Sequence, residues 1–138
     1  MLLLKGAPDK RLWANQYNGI GGHVEFGEDL LTSARRELAE EAGLDVPDLW
    51  LCGTIVIDVS QDVGIGLFVY KGEYCTGELK ASKEGDLEWV QRAQLNHLPL
   101  TEDLSMLLPR ILNMKRGNTP FSGHYWYDDL NTLHTDIF

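Results

Sequence analysis

Three glutamates, Glu37, Glu40 and Glu41, fall within five consecutive positions of the stretch RRELAEE. On a helix advancing about 100° per residue they share an arc of roughly 100°, so the three carboxylates lie on one face. Two carboxylates about 5 Å apart repel by about 3 kcal/mol at an effective dielectric of 20. Arg36, one turn before Glu40, offsets only part of that charge. Such a face is either a solvated acidic surface or a cradle for a cation, and hard oxygen donors of this kind suit a divalent ion such as Mg²⁺.

The element that must hold these side chains is a helix predicted over Asp29 to Ala42. Leu31, Ala34, Leu38 and Ala42 form a core-facing stripe with Glu41 on its edge. The first turn reads as acidic, which suits the macrodipole, and Gly43 is placed to end the helix in a left-handed cap. Its natural partner is a sheet. LWLCGTIVIDVS and VGIGLFVYKGEY read as two long neighbouring strands, LEWV as a shorter one and Met1 to Lys5 as another. Leu12 to Gly22 reads as an aromatic, Asn- and Gly-rich loop entering a short strand, a segment suited to facing a ligand. Thr101 to Met114 reads as a second amphipathic helix with Thr101 as N-cap. The tail reads as one further strand and a loosely held end. Two helices interleaved with strands predict an α/β fold, a three-layer α/β/α sandwich with a mixed sheet, formed as one domain over residues 1–138.

Composition narrows the partners. The chain has 138 residues, a net charge of −9 and a pI near 4.7. This argues against a nucleic-acid polymer, whose binding draws on clustered Lys and Arg, but leaves a small phosphorylated substrate open once a metal ion screens it. Cys52 and Cys75 have no zinc-site spacing. No stretch reads as a signal peptide or membrane span, and a cytoplasmic location is the resulting expectation.

From Gly22 onward the residues spell a longer signature. Gly22, five residues, Glu28, seven residues, Arg36-Glu37-Leu38, one residue, Glu40-Glu41, one residue, Gly43-Leu44 fits G-x5-E-x7-R-E-U-x-E-E-x-G-U at every fixed position, U being bulky and apolar. This resembles the Nudix box, over residues 22–44, and the flanking pattern and chain length also resemble that family. The resemblance implies hydrolysis of a nucleoside diphosphate linked to another moiety, with Mg²⁺ or Mn²⁺ as cofactor. It implies Glu40 and Glu41 as metal ligands, Glu37 as ligand or water-activating base, and an added oxygen from the Gly22 carbonyl. Glu28 and Arg36 would orient the others through a salt bridge, or serve structure alone. Glu84, in a loop before LEWV, is the competing candidate for the base and for a metal contact, with Asp86 a weaker substitute.

The stretch YNGIGGHVEFGE further resembles MutT-like nucleoside triphosphatases that act on oxidised purines. There Asn18 either contacts a purine edge or fills a left-handed turn. Lys5 stands either near the substrate or at the surface. Glu102 and Asp103 either bond a purine edge or favour the N-terminus of the second helix. In PFSGHYWYD, Tyr125, Trp126 and Tyr127 either stack on a purine, Trp126 being the one singled out, or pack in the core, since alternate strand residues face opposite sides. A tryptophan that many relatives carry before the acidic pair is replaced by Thr101, which cannot stack. The competing readings are hydrolysis of ADP-ribose or a nucleotide sugar, for which Pro47 lies too close to the box, and a nucleotide-binding regulator without catalysis. The expected partner is a small nucleotide, and the expected assembly a monomer or a homodimer.

Overall fold

A computed structural model describes residues 1–138. In chain order the strands are β1 (Leu2–Gly6), β2 (Tyr17–Asn18), β3 (Leu44–Asp45), β4 (Trp50–Asp58), β5 (Gly64–Lys71), β6 (Thr76–Gly77), β7 (Gly85–Trp89), β8 (Phe121–Tyr127) and β9 (Leu133–Ile137). Helix α1 (Leu30–Glu37) precedes β3, and α2 (Glu102–Asn113) follows a 3₁₀ turn at Arg92–His97. The strands form a four-stranded mixed sheet ordered β5-β4-β8-β9, an antiparallel sheet ordered β2-β1-β7, and the small ribbon β3-β6. Only the β4–β8 pair is parallel.

The layering follows from alternation along β1. Leu3 faces one side and packs with Tyr17, Val90, Leu95, Leu104 and Leu108, a cluster that includes α2. Leu2, on the other face, packs with Leu38, Ala42, Leu44 and Leu87 at the end of α1. A helix thus covers each face of this sheet, and the expected α/β/α sandwich is present. Helix α2 also serves the mixed sheet through Leu107, which meets Cys52, Ile55, Phe121 and Tyr125. Burial of each such Leu contributes about 1.5–3 kcal/mol. No helix is long and apolar enough to cross a membrane.

Three local expectations change. Asp29 lies before the helix rather than in its first turn: it is the N-cap, its carboxylate accepting from the N–H groups of Leu31 and Thr32 at 2.9 and 3.0 Å. The helix does not run uniformly to Ala42, because Leu38–Ala42 forms a π turn that ends at Gly43 with φ 73°. The tail is a hairpin. Asp128 accepts from the N–H groups of Leu130 and Thr132, Asn131 adopts φ 59°, and the last residues return as β9 against β8. At α2, Thr101 occupies the N-cap position but makes no side-chain capping bond. Its hydroxyl is buried without a partner.

Candidate active site

Arg36 organises the box. Its Nε and Nη2 donate to the two Glu28 carboxylate oxygens at 3.1 and 2.7 Å, a bidentate pair. Nη1 donates to Glu37 at 2.9 Å and to Glu40 at 3.2 Å, while Nη2 also reaches the His23 carbonyl at 3.0 Å. One guanidinium therefore ties the chain before the helix to two of the three clustered glutamates. Its five donors in a planar fork allow this, and a lysine ammonium does not reproduce it.

The Glu28 carboxyl is held down to about 2, first by the Arg36 hydrogen bonds and then by the Glu25 backbone N–H. The sign follows directly. Between the ordinary carboxylate range and pH 2 the unfolded chain takes up a proton that native Glu28 refuses, so stability falls as pH falls through that window. Glu28→Gln is expected to make the melting temperature fall less steeply than in the wild type between pH 4.5 and 2. Parallel acid limbs by circular dichroism would contradict this.

Glu37 sits on the backbone of Gly22. A Cβ at position 22 would collide with the Glu37 carboxylate, so the absence of a side chain there is what admits it. Glu41, on the π turn, lies deeper. Its Oε2 is buried and has no hydrogen-bond partner. Burial, followed by the charges of Glu37, Glu84 and Glu40, raises its pKa, against the opposing influence of the Gly21 backbone. Glu40 is exposed at its Arg36 contact.

A cavity of about 190 Å³ opens beside Glu41, and Glu84, Asn18, Lys10, Trp13 and Gly21 are among the residues that line it. Glu84 reaches it from the loop before β7 and pairs with Lys10. Asn18 accepts from the Gly19 N–H at 2.8 Å, so the turn and the cavity wall are one feature. Leu12, Trp13 and Gln16 belong to the loop read from the sequence as suited to facing a ligand, and they line this cavity. Lys10 lies outside that loop and was not legible as a site residue, since only the closure of β1 on β2 and β7 brings it to Glu41.

Other candidates lie elsewhere. Lys5 alternates with Leu4 and Gly6, which line the cavity, and instead places its ammonium 5.7 Å from the centre of the Tyr17 ring. Trp126 is held between His124 and His134, with ring centroids 5.1 and 5.4 Å away. It lies on the face of β8 opposite Tyr125, whose ring is in the α2 core. Glu102 and Asp103 open α2 and do not line the cavity; the charge of Asp103 helps to raise the Tyr125 hydroxyl to about 12, after burial. Asp86 lies opposite Lys5 in the β1–β7 pairing.

A divalent ion fits this donor set. No three acidic, histidine or cysteine side chains converge into a closed cage. Mg²⁺ needs none, since one or two carboxylates with waters and substrate phosphates suffice. The unpartnered Glu41 oxygen and the repulsion among Glu37, Glu41 and Glu84 are what such a charge would relieve.

The NUDIX domain matches residues 1–111. The oxidized purine nucleoside triphosphate hydrolase of Mus musculus is 30% identical over 132 residues, covering 95% of this chain and 82% of that protein. A putative 8-oxo-dGTP diphosphatase 2 of Mycobacterium tuberculosis is 36% identical over 83 residues, covering 60% of this chain and 59% of that protein. Among solved structures, a MutT protein from Bacillus halodurans superposes with a TM-score of 0.82 at 26% identity, covering 99% of this chain and 88% of its own. With the complete box running from Gly22 through α1 and its π turn to Leu44, these likenesses show that the chain belongs to the Nudix family.

Proposed function

We propose that this Nudix hydrolase uses a divalent ion, Mg²⁺ or Mn²⁺, to cleave a nucleoside triphosphate to nucleoside monophosphate and pyrophosphate, with oxidised purine nucleotides as the preferred substrates. The observation that carries this reading is the common cavity of Glu41, Glu84 and Asn18. That shared space supports giving Glu41 the ion, Glu84 the proton and Asn18 the purine edge. The names of the relatives in mouse and Mycobacterium tuberculosis support the substrate class.

In this reading Glu41 and Glu40 hold the ion, with the Gly22 carbonyl as a further oxygen. The bound ion supplies Lewis acidity, spreading charge that develops on the phosphates and acidifying water. Glu84 takes the proton of the attacking water as its oxygen bonds to phosphorus and the bridging P–O bond breaks, releasing pyrophosphate. Both candidate bases are paired, Glu37 with Arg36 and Glu84 with Lys10, but Glu84 lines the cavity whereas Glu37 is wedged on Gly22 outside its lining. Glu28 and Arg36 position it. Asn18 offers both a donor and an acceptor to a purine edge.

The test is kcat/KM for 8-oxo-dGTP and dGTP with Mg²⁺, with pyrophosphate resolved from phosphate among the products. A strong preference for the oxidised base with pyrophosphate release is expected. Equal or negligible turnover of both would remove the substrate assignment and direct the search to other nucleotides, beginning with ADP-ribose.

A further inference from the structure

Trp13 is the one residue of the cavity lining whose backbone and side chain both run against ordinary preference. It adopts φ 58°, in the left-handed region that bulky side chains avoid, and remains 57% exposed although tryptophan is among the side chains that gain most from burial. The conformation is held from both sides. The Gly6 N–H donates to the Gln16 carbonyl at 3.0 Å, the Asn15 N–H to the Gly6 carbonyl at 2.9 Å, and the Gln16 N–H to the Trp13 carbonyl at 3.1 Å. Gly6 takes part by lacking a side chain, since a Cβ there would collide with the Trp13 carbonyl. Backbone strain maintained by several independent bonds and spent on exposing an aromatic is a pattern associated with ligand contact.

The surroundings say which part of a ligand it would meet. Trp13 shares the cavity with Leu12, Gln16 and Asn18, and with Glu41 and Glu84 of the carboxylate cluster. The acidic groups and the ion they would hold belong with the phosphates, which leaves the aromatic, aliphatic and amide groups for the base. Thr101 offers no ring, and Trp126 is occupied between two histidines on another sheet face.

We propose that Trp13 is the base-stacking platform of this enzyme, fixing a purine against the Asn18 amide. This rests on the proposed function only in taking a nucleotide as the ligand. Stacking of a base on an aromatic changes affinity by roughly five- to 150-fold in related settings.

Three variants and two ligands test it. Trp13→Ala is expected to raise KM for nucleoside triphosphates by about tenfold or more, with kcat changed less, while the inhibition constant of inorganic triphosphate stays at the wild-type value. Trp13→Phe is expected to restore most of the affinity. Trp13→Gly, which relieves the positive φ, is expected to keep or raise the melting temperature while binding nucleotide as weakly as the alanine variant. Unchanged KM in Trp13→Ala, or equal losses for nucleotide and inorganic triphosphate, would overturn the proposal. The two readings separate cleanly. If wild type turns over no nucleoside triphosphate but nucleotides still quench a fluorescence component that Trp13→Phe removes, the catalytic reading falls and Trp13 stands. Normal turnover with an indifferent Trp13→Ala gives the reverse.

Discussion

Glu41→Gln is expected to fold normally and to lose hydrolysis by a factor on the order of 10² to 10³, the range typical of removing one preorganised electrostatic partner. The buried Oε2 of Glu41 has no partner within the protein, and its charged form is opposed by burial and by Glu37, Glu84 and Glu40. A group so placed costs the apo fold something, because its raised pKa means stability falls as pH rises from the ordinary carboxylate range through the native value. The amide keeps shape and volume while removing the charge. The melting temperature in EDTA should therefore equal or exceed that of the wild type near neutral pH, and the stabilisation gained from added Mg²⁺ should shrink. Loss of turnover together with a lowered apo melting temperature would mean that Glu41 is mainly structural. Full turnover would remove it from the site altogether.

The second large effect is at a residue without a side chain. Gly22→Ala introduces a Cβ into the space held by the Glu37 carboxylate. Gly22 is not among the positive-φ glycines, so alanine meets no backbone strain there. The flexible carboxylate must move instead, away from Arg36 Nη1 at 2.9 Å. Misplacement by about 1 Å costs on the order of 10²-fold in rate, so kcat/KM should fall by that order while the fold persists. A double-mutant cycle isolates the cause. Glu37→Asp shortens the side chain and leaves room for the new methyl, so the double variant should lose less than the product of the two single losses. Strictly multiplicative losses would show that position 22 acts through something other than Glu37.

What the sequence made legible was local or periodic. The box helix, its Gly43 cap and the β4–β5 pair follow from spacing that a few residues carry by themselves. The π turn was not legible, because the apolar stripe satisfies a 3.6-residue period and a single wide turn leaves no separate mark in it. The β8–β9 hairpin was missed for a related reason: alternation is weak in LHTDIF, although the DDLN turn before it was available as a signal. Alternation did anticipate that Tyr125 and Trp126 would part company, but not which of them would meet the core. Trp13 lay within the loop read as facing a ligand, but neither its own place in the cavity nor the pairing of Lys10 with Glu84 was legible, because these contacts run across the fold and no local pattern encodes them.

The π turn at Leu38–Ala42 bears on protein engineering. Its Gly43 N–H reaches back to the carbonyl of Leu38 as well as that of Ala39, so the helix holds one residue more than a regular turn would accommodate. Copying the glutamate spacing onto an ideal designed helix would rotate the segment after the insertion by up to one residue's step, roughly 100°. Glu41 would leave its buried position, and the exit toward β3 would miss its strand. A scaffold meant to carry this chemistry must therefore inherit the irregular turn along with the letters.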